Sequence, residues 1–214
     1  MALFLDSANR EDAMRAAALG FVSGVTTNPI LIARAGLSPF EAIRGLLAMA
    51  EWPVFYQVTC ETRDEIEAEA RKMTALAPGR VILKALADMP HLQIMADLRG
   101  DLRWAATAVC SGAQAYLACE AGAEYLIPYV NRSTRYGGDG AAVVREIVAM
   151  TEACGGVTQV LAASLKSARE VVDTLLAGAH HVSAPLAVIE EMATHPLTAL
   201  AADEFRRAAQ SAPR

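Results

Sequence analysis

Lys84 stands inside an otherwise apolar run, Val81-Ile82-Leu83-Lys84-Ala85-Leu86, whose alternation reads as a strand with Lys84 on the face opposite Leu83 and Ala85. That face points to a low-dielectric interior. Burial disfavours the ammonium form, and the free amine is the form that attacks a carbonyl and makes a Schiff base. The alternative is a lysine ion-paired with Asp6 or another carboxylate. Tyr129 closes the run Tyr125-Leu126-Ile127-Pro128-Tyr129, where its phenol could move a proton directly or through a water held by Gln57 and Thr107. Taken singly, these three also read as strand-end polar or packing residues. Arg132, Ser164 and Lys166 supply a guanidinium fork, a hydroxyl and an ammonium, a donor set that complements a phosphate dianion. Each of the two cations alone reads as a solvated surface charge.

For these groups to meet, the chain must bring the ends of several strands together. Short apolar runs alternate with helix-period segments along the whole sequence. Strands are expected at Ala2–Leu5, Gly24–Thr27, Val54–Val58, Val81–Leu86, Arg103–Ala108, Tyr125–Tyr129, Thr158–Ala163 and His181–Ser183. Between them, helices are expected at Glu11–Leu19, Pro39–Ala50 behind an N-cap at Ser38, Arg63–Leu76, His91–Leu98 and Ala113–Ala121 stopped by Gly122. Further helices are expected at Ala141–Cys154, Ala168–Ala177 closed by Gly178, and Leu186–Ala193. Eight such units in about 195 residues, roughly 24 each, predict an α/β chain folded as a single (β/α)8 TIM barrel spanning residues 1–214. An open doubly wound sheet is the rival, but no GxGxxG follows the first strand. In a barrel, Asp6, Thr26 to Asn28, Gln57, Lys84, Thr107, Tyr129 to Arg132, Ser164 and Lys166 all fall at strand C-terminal ends, where barrels carry their chemistry. An extra helix, Leu197–Gln210, follows the eighth unit. Its Leu197, Leu200, Ala201 and Phe205 share one face, which must cover either its own barrel or a neighbour.

Composition narrows the ligand. With 54% hydrophobic and 20% charged residues the chain is too apolar to be disordered, and a net charge of -5 lacks the basic balance that nucleic acid or anionic lipid requires. An anionic ligand must be bound locally. Cys60, Cys110, Cys119 and Cys154 form no CxxC pair, and His91, His180, His181 and His195 are scattered, so neither a disulfide framework nor a metal site is expected. The longest uncharged stretch, Ala16 to Ala33, is interrupted by Gly20, Ser23, Gly24, Thr26, Thr27, Asn28 and Pro29, a poor membrane span. Met1 to Asp6 lacks the charged start and long apolar run of a signal peptide, so a cytoplasmic location is expected.

Several segments together resemble the small class I aldolases of the transaldolase family, and within it the fructose-6-phosphate aldolase branch. The match is carried by Leu5-Asp6, Gly24-Val25-Thr26-Thr27-Asn28-Pro29, Gln57-Val58, Lys84, Thr107-Ala108-Val109, Gly122-Ala123-Glu124-Tyr125, Pro128-Tyr129-Val130-Asn131-Arg132 and Leu161-Ala162-Ala163-Ser164. The resemblance implies an imine at Lys84, with Asp6 and Asn28 contacting substrate and assisting the lysine. It implies a catalytic water held by Gln57, Thr107 and Tyr129. Thr27 and Asn131 join the substrate-binding set, and Arg132, Ser164 and Lys166 take the phosphate of a sugar phosphate. No cofactor is implied. Transaldolases have Glu in place of Gln57 and Phe in place of Tyr129, so this chain looks like the aldolase branch. The segment Ala85-Leu86-Ala87-Asp88-Met89-Pro90 departs from the family, which follows its lysine with Val-Pro or Ile-Pro. Transaldolase activity and a non-catalytic phosphosugar-binding barrel are the alternatives. The resemblance also implies a homopentamer or homodecamer in which the terminal helix reaches onto a neighbour.

Overall fold

Period-2 alternation is realised as eight parallel strands that close into a barrel in chain order, in a computed structural model that describes residues 1–211. The (β/α)8 expectation holds. The strands are β1 (Ala2–Asp6), β2 (Val22–Thr26), β3 (Val54–Gln57), β4 (Val81–Leu86), β5 (Trp104–Val109), β6 (Tyr125–Pro128), β7 (Gln159–Ala162) and β8 (His181–Ala184). One face of each strand packs outward on the helices and carries the main core, including Leu5, Val25, Val54, Leu83, Ala106 and Leu126. The other face fills the barrel with Phe4, Phe55, Ile82, Ala105, Ile127 and Leu161. Phe4 and Phe55 meet edge to face with centroids 5.5 Å apart. Gly24 is glycine because a Cβ there would lie 2.8 Å from both the Phe4 ring and the Pro53 carbonyl.

This plug sets the height of the chemistry. Two residues beyond each plug residue, on the same face, come Asp6 above Phe4, Gln57 above Phe55, Lys84 above Ile82, Thr107 above Ala105 and Tyr129 above Ile127. Register then aligns Gln57 with Lys84 across β3 and β4, and Asp6 with Thr26 across β1 and β2.

The outer helices are α1 (Arg10–Ala18), α2 (Pro29–Arg34), α3 (Pro39–Leu47), α4 (Arg63–Thr74), α5 (Met89–Asp97) and α6 (Gly112–Glu120), then α7 (Val130–Arg135), α8 (Gly140–Ala153), α9 (Ala168–Leu176), α10 (Leu186–Met192) and α11 (Pro196–Ser211). Most expected helices are reproduced with ends shifted by a few residues, as fraying boundaries allow. Two short helices were not expected. α2 begins directly after β2, where Asn28 caps the Leu31 amide at 3.0 Å and Pro29 stands at the first turn. α7 begins directly after Tyr129 and packs so closely on α8 that a Cβ at Gly140 would fall 2.4 Å from the Val130 carbonyl. Six residues are too few for a helical period to show in the sequence.

α11 buries none of its residues on the barrel, and Leu197, Leu200 and Phe205 are 66%, 59% and 73% exposed. Packing on its own barrel, one of the two expected uses of this face, does not occur. No helix among the described residues is long and apolar enough to cross a membrane.

Candidate active site

A cavity of about 500 Å³ opens at the C-terminal ends of the strands, with Lys84 in its wall. A second cavity, of about 450 Å³, lies at the opposite end and contains Cys119 and Cys154. Burial pushes the Cys119 thiol up to about 11, which leaves it protonated and inert. The first cavity holds the reactive groups.

Lys84 is 3% exposed, and its Nζ donates to the Thr27 carbonyl at 2.8 Å. Among the described residues it forms no ion pair, so the expected alternative of a salt bridge to Asp6 is not what holds it. An amine has three hydrogen-bonding directions when charged, and a single neutral carbonyl satisfies one. The Asp6 carboxylate accepts from the Thr26 hydroxyl at 2.9 Å, and Thr26 is in turn 2.6 Å from the Ser183 hydroxyl. Asp6 reaches solvent through the cavity but is otherwise enclosed by the barrel. Burial holds its carboxyl above the usual carboxylate range, against the opposing pull of the Lys84 ammonium and the Thr26 hydroxyl.

Tyr129 lies one residue past β6 but still bridges Ala163, which keeps its side chain on the inner face. Thr107 donates to the phenol oxygen at 3.0 Å. Thr107 is fully buried behind the cavity wall, outside the lining. The Arg132 guanidinium sits over the Tyr129 ring, 4.7 Å from its centroid. Gln57 and Asn28 line the same cavity. Just past Thr107, β5 bulges at Ala108, which adopts a φ of 58°, and Ser164 after β7 has a φ of 60°. Both are left-handed non-glycine residues, and both line the cavity.

Ser164, Arg132 and Lys166 all line this cavity. Glu170 braces them from behind, accepting from the Asn131 side-chain amide at 2.6 Å and from the Lys166 backbone N–H at 2.7 Å. Asn131 lines the cavity with its side-chain amide donating to Glu170. Thr27 lies deeper. It is completely buried and outside the cavity lining, its hydroxyl donates to the Phe55 carbonyl at 2.8 Å, and its contribution is the carbonyl that holds Lys84. The departing segment after Lys84 places half-exposed Leu86 in the lining. It is held by the Ala87 N–H on the Thr107 carbonyl, the Gln114 amide on the Ala87 carbonyl, and Asp88 as the cap of α5. Ile127 belongs to the plug below and does not touch the cavity.

Sequence reasoning missed Arg34 and Arg135, which also line the cavity. Their signal lay in α2 and α7, the two helices too short to read. With Lys84, Arg132 and Lys166 they make five cations against the single carboxylate of Asp6 in the lining.

The sequence profile of the Transaldolase/Fructose-6-phosphate aldolase family matches residues 3–213. Relatives named as probable transaldolases include that of Desulforudis audaxviator, 38% identical over 207 residues, covering 96% of this chain and 95% of the relative. The probable transaldolase of Caulobacter vibrioides is 34% identical over 205 residues, covering 96% and 94%. Probable transaldolase 1 of Listeria monocytogenes is 32% identical over 205 residues, covering 96% of each chain. The chain belongs to the transaldolase/fructose-6-phosphate aldolase family and is an enzyme of the aldolase type.

Proposed function

Starting from that membership, we propose that the chain is a reversible, cofactor-free class I aldolase that cleaves fructose 6-phosphate to dihydroxyacetone and glyceraldehyde 3-phosphate through a Schiff base at Lys84. The observation that carries this reading is the buried lysine whose nitrogen rests on a neutral carbonyl, opening on a cavity that also holds Asp6 and Tyr129. The Lys84 amine adds to the C2 carbonyl. The carbinolamine hydroxyl leaves as water, taking the proton that Asp6 carries, and an iminium remains. A water held by Gln57 and Tyr129, the phenol oriented by Thr107, takes the proton of the C4 hydroxyl. The C3–C4 bond then breaks, its electron pair forms the enamine, and the aldehyde departs. Protonation at C3 and hydrolysis release dihydroxyacetone and restore the amine. Asn28 contacts the sugar, and Arg132, Ser164 and Lys166 hold the phosphate.

The second reading is transaldolase, and the names of the relatives favour it. It differs only in the fate of the enamine, which waits for a second aldose phosphate. Gln57 and Tyr129, which replace the Glu and Phe of transaldolases, support release of the free ketone. The test has two parts. Borohydride with dihydroxyacetone should add mass at Lys84 and not at Lys72 or Lys166, and an adduct on either of the latter alone would sink the assignment. Free dihydroxyacetone release, compared with consumption of sedoheptulose 7-phosphate in the presence of an acceptor, then separates the two activities. Assembly belongs to the same proposal: a cytoplasmic ring of five or ten chains in which the exposed face of α11 covers a neighbour.

A further inference from the structure

Asp6 lines the cavity, but two hydroxyls joined to it lie outside the lining and have no part in the mechanism above. The Thr26 hydroxyl donates to Asp6 Oδ1 at 2.9 Å, and the Ser183 hydroxyl lies 2.6 Å from that of Thr26. β2 and β8 flank β1 on either side, so these two side chains meet across it, Ser183 in register with Phe4 and Thr26 with Asp6. Both are buried. A hydroxyl has one proton to give. Because Thr26 gives its proton to Asp6, Ser183 must give its own to Thr26, and the chain runs one way, toward the carboxyl. Reversal would leave the Ser183 proton without an acceptor, since its hydroxyl has no other partner among the described residues, and an unmade bond at a buried site is costly. Asp6 Oδ2, in contrast, accepts no hydrogen bond among the described residues and is not enclosed, so it is the oxygen open to the cavity. Apolar side chains fill the barrel beside them at Phe4, Phe55 and Ile82, and would fill this space without any polar group to satisfy.

Resting on the reading of Asp6 as the proton carrier, we infer that Ser183 is a positioning residue: through Thr26 it reserves Oδ1 as an acceptor, so that the proton Asp6 carries is held on Oδ2. Ser183 touches no ligand. It acts because a hydroxyl that accepts a hydrogen bond is polarised to donate a stronger one. Without Ser183 the Thr26 hydroxyl is free to turn and accept, a proton on Oδ1 is then tolerated, and the carboxyl holds its proton more tightly. The other charges that face Asp6 are Lys84 on β4 and Lys166 after β7, both of which pull its carboxyl down against burial. On β8, His181 stands two residues before Ser183 with its ring 5.9 Å from that of Phe4, and burial pulls its imidazole down to about 4, so it is neutral above that pH. On α1, the Asp12 carboxylate is taken by the Ser7 hydroxyl at 2.7 Å.

pH-difference infrared spectroscopy of the full chain reads the Asp6 carboxyl as the band lost in Asp6→Asn, whether or not Lys84 forms a Schiff base. Ser183→Ala should raise its titration midpoint by about 0.5 pH unit, the effect of roughly one neutral hydrogen bond. Ser183→Cys, close in shape and a weaker donor, should fall between the two. Thr26→Val removes the donor itself and should raise the midpoint further, and adding Ser183→Ala to Thr26→Val should change little, because the chain is already cut. Cyanoborohydride trapping of dihydroxyacetone at Lys84 across pH reports separately on the chemistry: the pH above which trapping falls off should rise with the Asp6 midpoint. A midpoint that Ser183→Ala leaves in place, or shifts equally with and without Thr26→Val, would overturn the role of Ser183 and leave that of Asp6 standing. A midpoint that moves while the trapping profile does not would overturn Asp6 as the proton carrier, and with it the positioning role.

Discussion

Removing only the phenol oxygen in Tyr129→Phe separates a proton-transfer role from a packing role. The ring can stay beneath the Arg132 guanidinium, because that contact is made with its face. The structural loss is then one hydrogen bond, from Thr107 at 3.0 Å. A neutral bond of this kind contributes about 1 kcal/mol, which for a chain of this size lowers the melting temperature by roughly 2–4 °C. The catalytic loss should be much larger. A positioned acid or base contributes about 10²–10⁴ in rate, so cleavage of fructose 6-phosphate should fall at least ~10²-fold, or about 2.7 kcal/mol in the barrier. Imine formation at Lys84 should persist, since the phenol acts after it. Coupled detection of glyceraldehyde 3-phosphate gives the rate, borohydride trapping gives the imine, and thermal unfolding gives the stability. Thr107→Val is the companion variant, which leaves the phenol in place but unoriented and should show a smaller rate loss. A Phe variant that cleaves at the native rate would reduce Tyr129 to packing. One that loses trapping and cleavage together would mean that the phenol supports the lysine instead of the later proton transfer.

Arg132→Ala should raise the Michaelis constant for glyceraldehyde 3-phosphate over that for glyceraldehyde by about 1.5–3 kcal/mol, the contribution of a hydrogen bond to a charged group, and an equal effect on both would place Arg132 outside the phosphate site. Asp6 has its folded value raised by burial, so its contribution to stability is fully present below the ordinary carboxylate value and is lost as pH rises through the folded value. Asp6→Asn, which keeps an acceptor for Thr26, should therefore gain melting temperature over the native protein at pH 8, and that gain should vanish near pH 3. A constant difference across that range would contradict the assignment. Truncation after His195 removes α11 and should reduce the mass found by light scattering, and Leu200→Glu with Phe205→Glu should do the same in the full chain. Retention of the native mass by both would take the helix out of the interface.

Much of the site was legible because strands have a period of two. Once Val81–Leu86 is read as a strand, Lys84 and Ile82 must share a face, and the same arithmetic puts Asp6, Gln57 and Thr107 on the face of Phe4, Phe55 and Ala105 in their own strands. What the sequence does not report lies just after the strands. Thr26, Thr27 and Asn28 look alike in sequence, yet Asn28 turns to cap α2 and leaves Thr27 facing Phe55, so only the backbone of Thr27 reaches the lysine. Asn131 reads as a ligand group until Glu170, 39 residues on, takes its amide. No local pattern reports a partner at that separation. The face of α11 is legible from periodicity, but periodicity cannot say what covers it, and the barrel does not.

The two halves of the cavity are built on different physical terms. At its base, Ala108 and Ser164 hold left-handed backbone conformations that cost about 1 to 3 kcal/mol each and persist only where the surroundings over-determine them. Those surroundings are visible: the bulge between β5 and β6, the Asn131 N–H on the Ser164 carbonyl at 3.2 Å, and Glu170 bridging the segments after β6 and β7. Strained, braced backbone fixes Tyr129 and Ser164 before any ligand arrives, which is what the proton transfer and the anion site of the proposed function would both require. The rim is the opposite case, since Arg34, Arg135 and Lys166 are exposed side chains on long flexible stems. On the proposed reading, a rigid base serves the carbonyl chemistry and an adaptable cationic rim serves the anion. Substitutions at the base should therefore change turnover for every substrate alike, and substitutions at the rim should change the ranking of substrates.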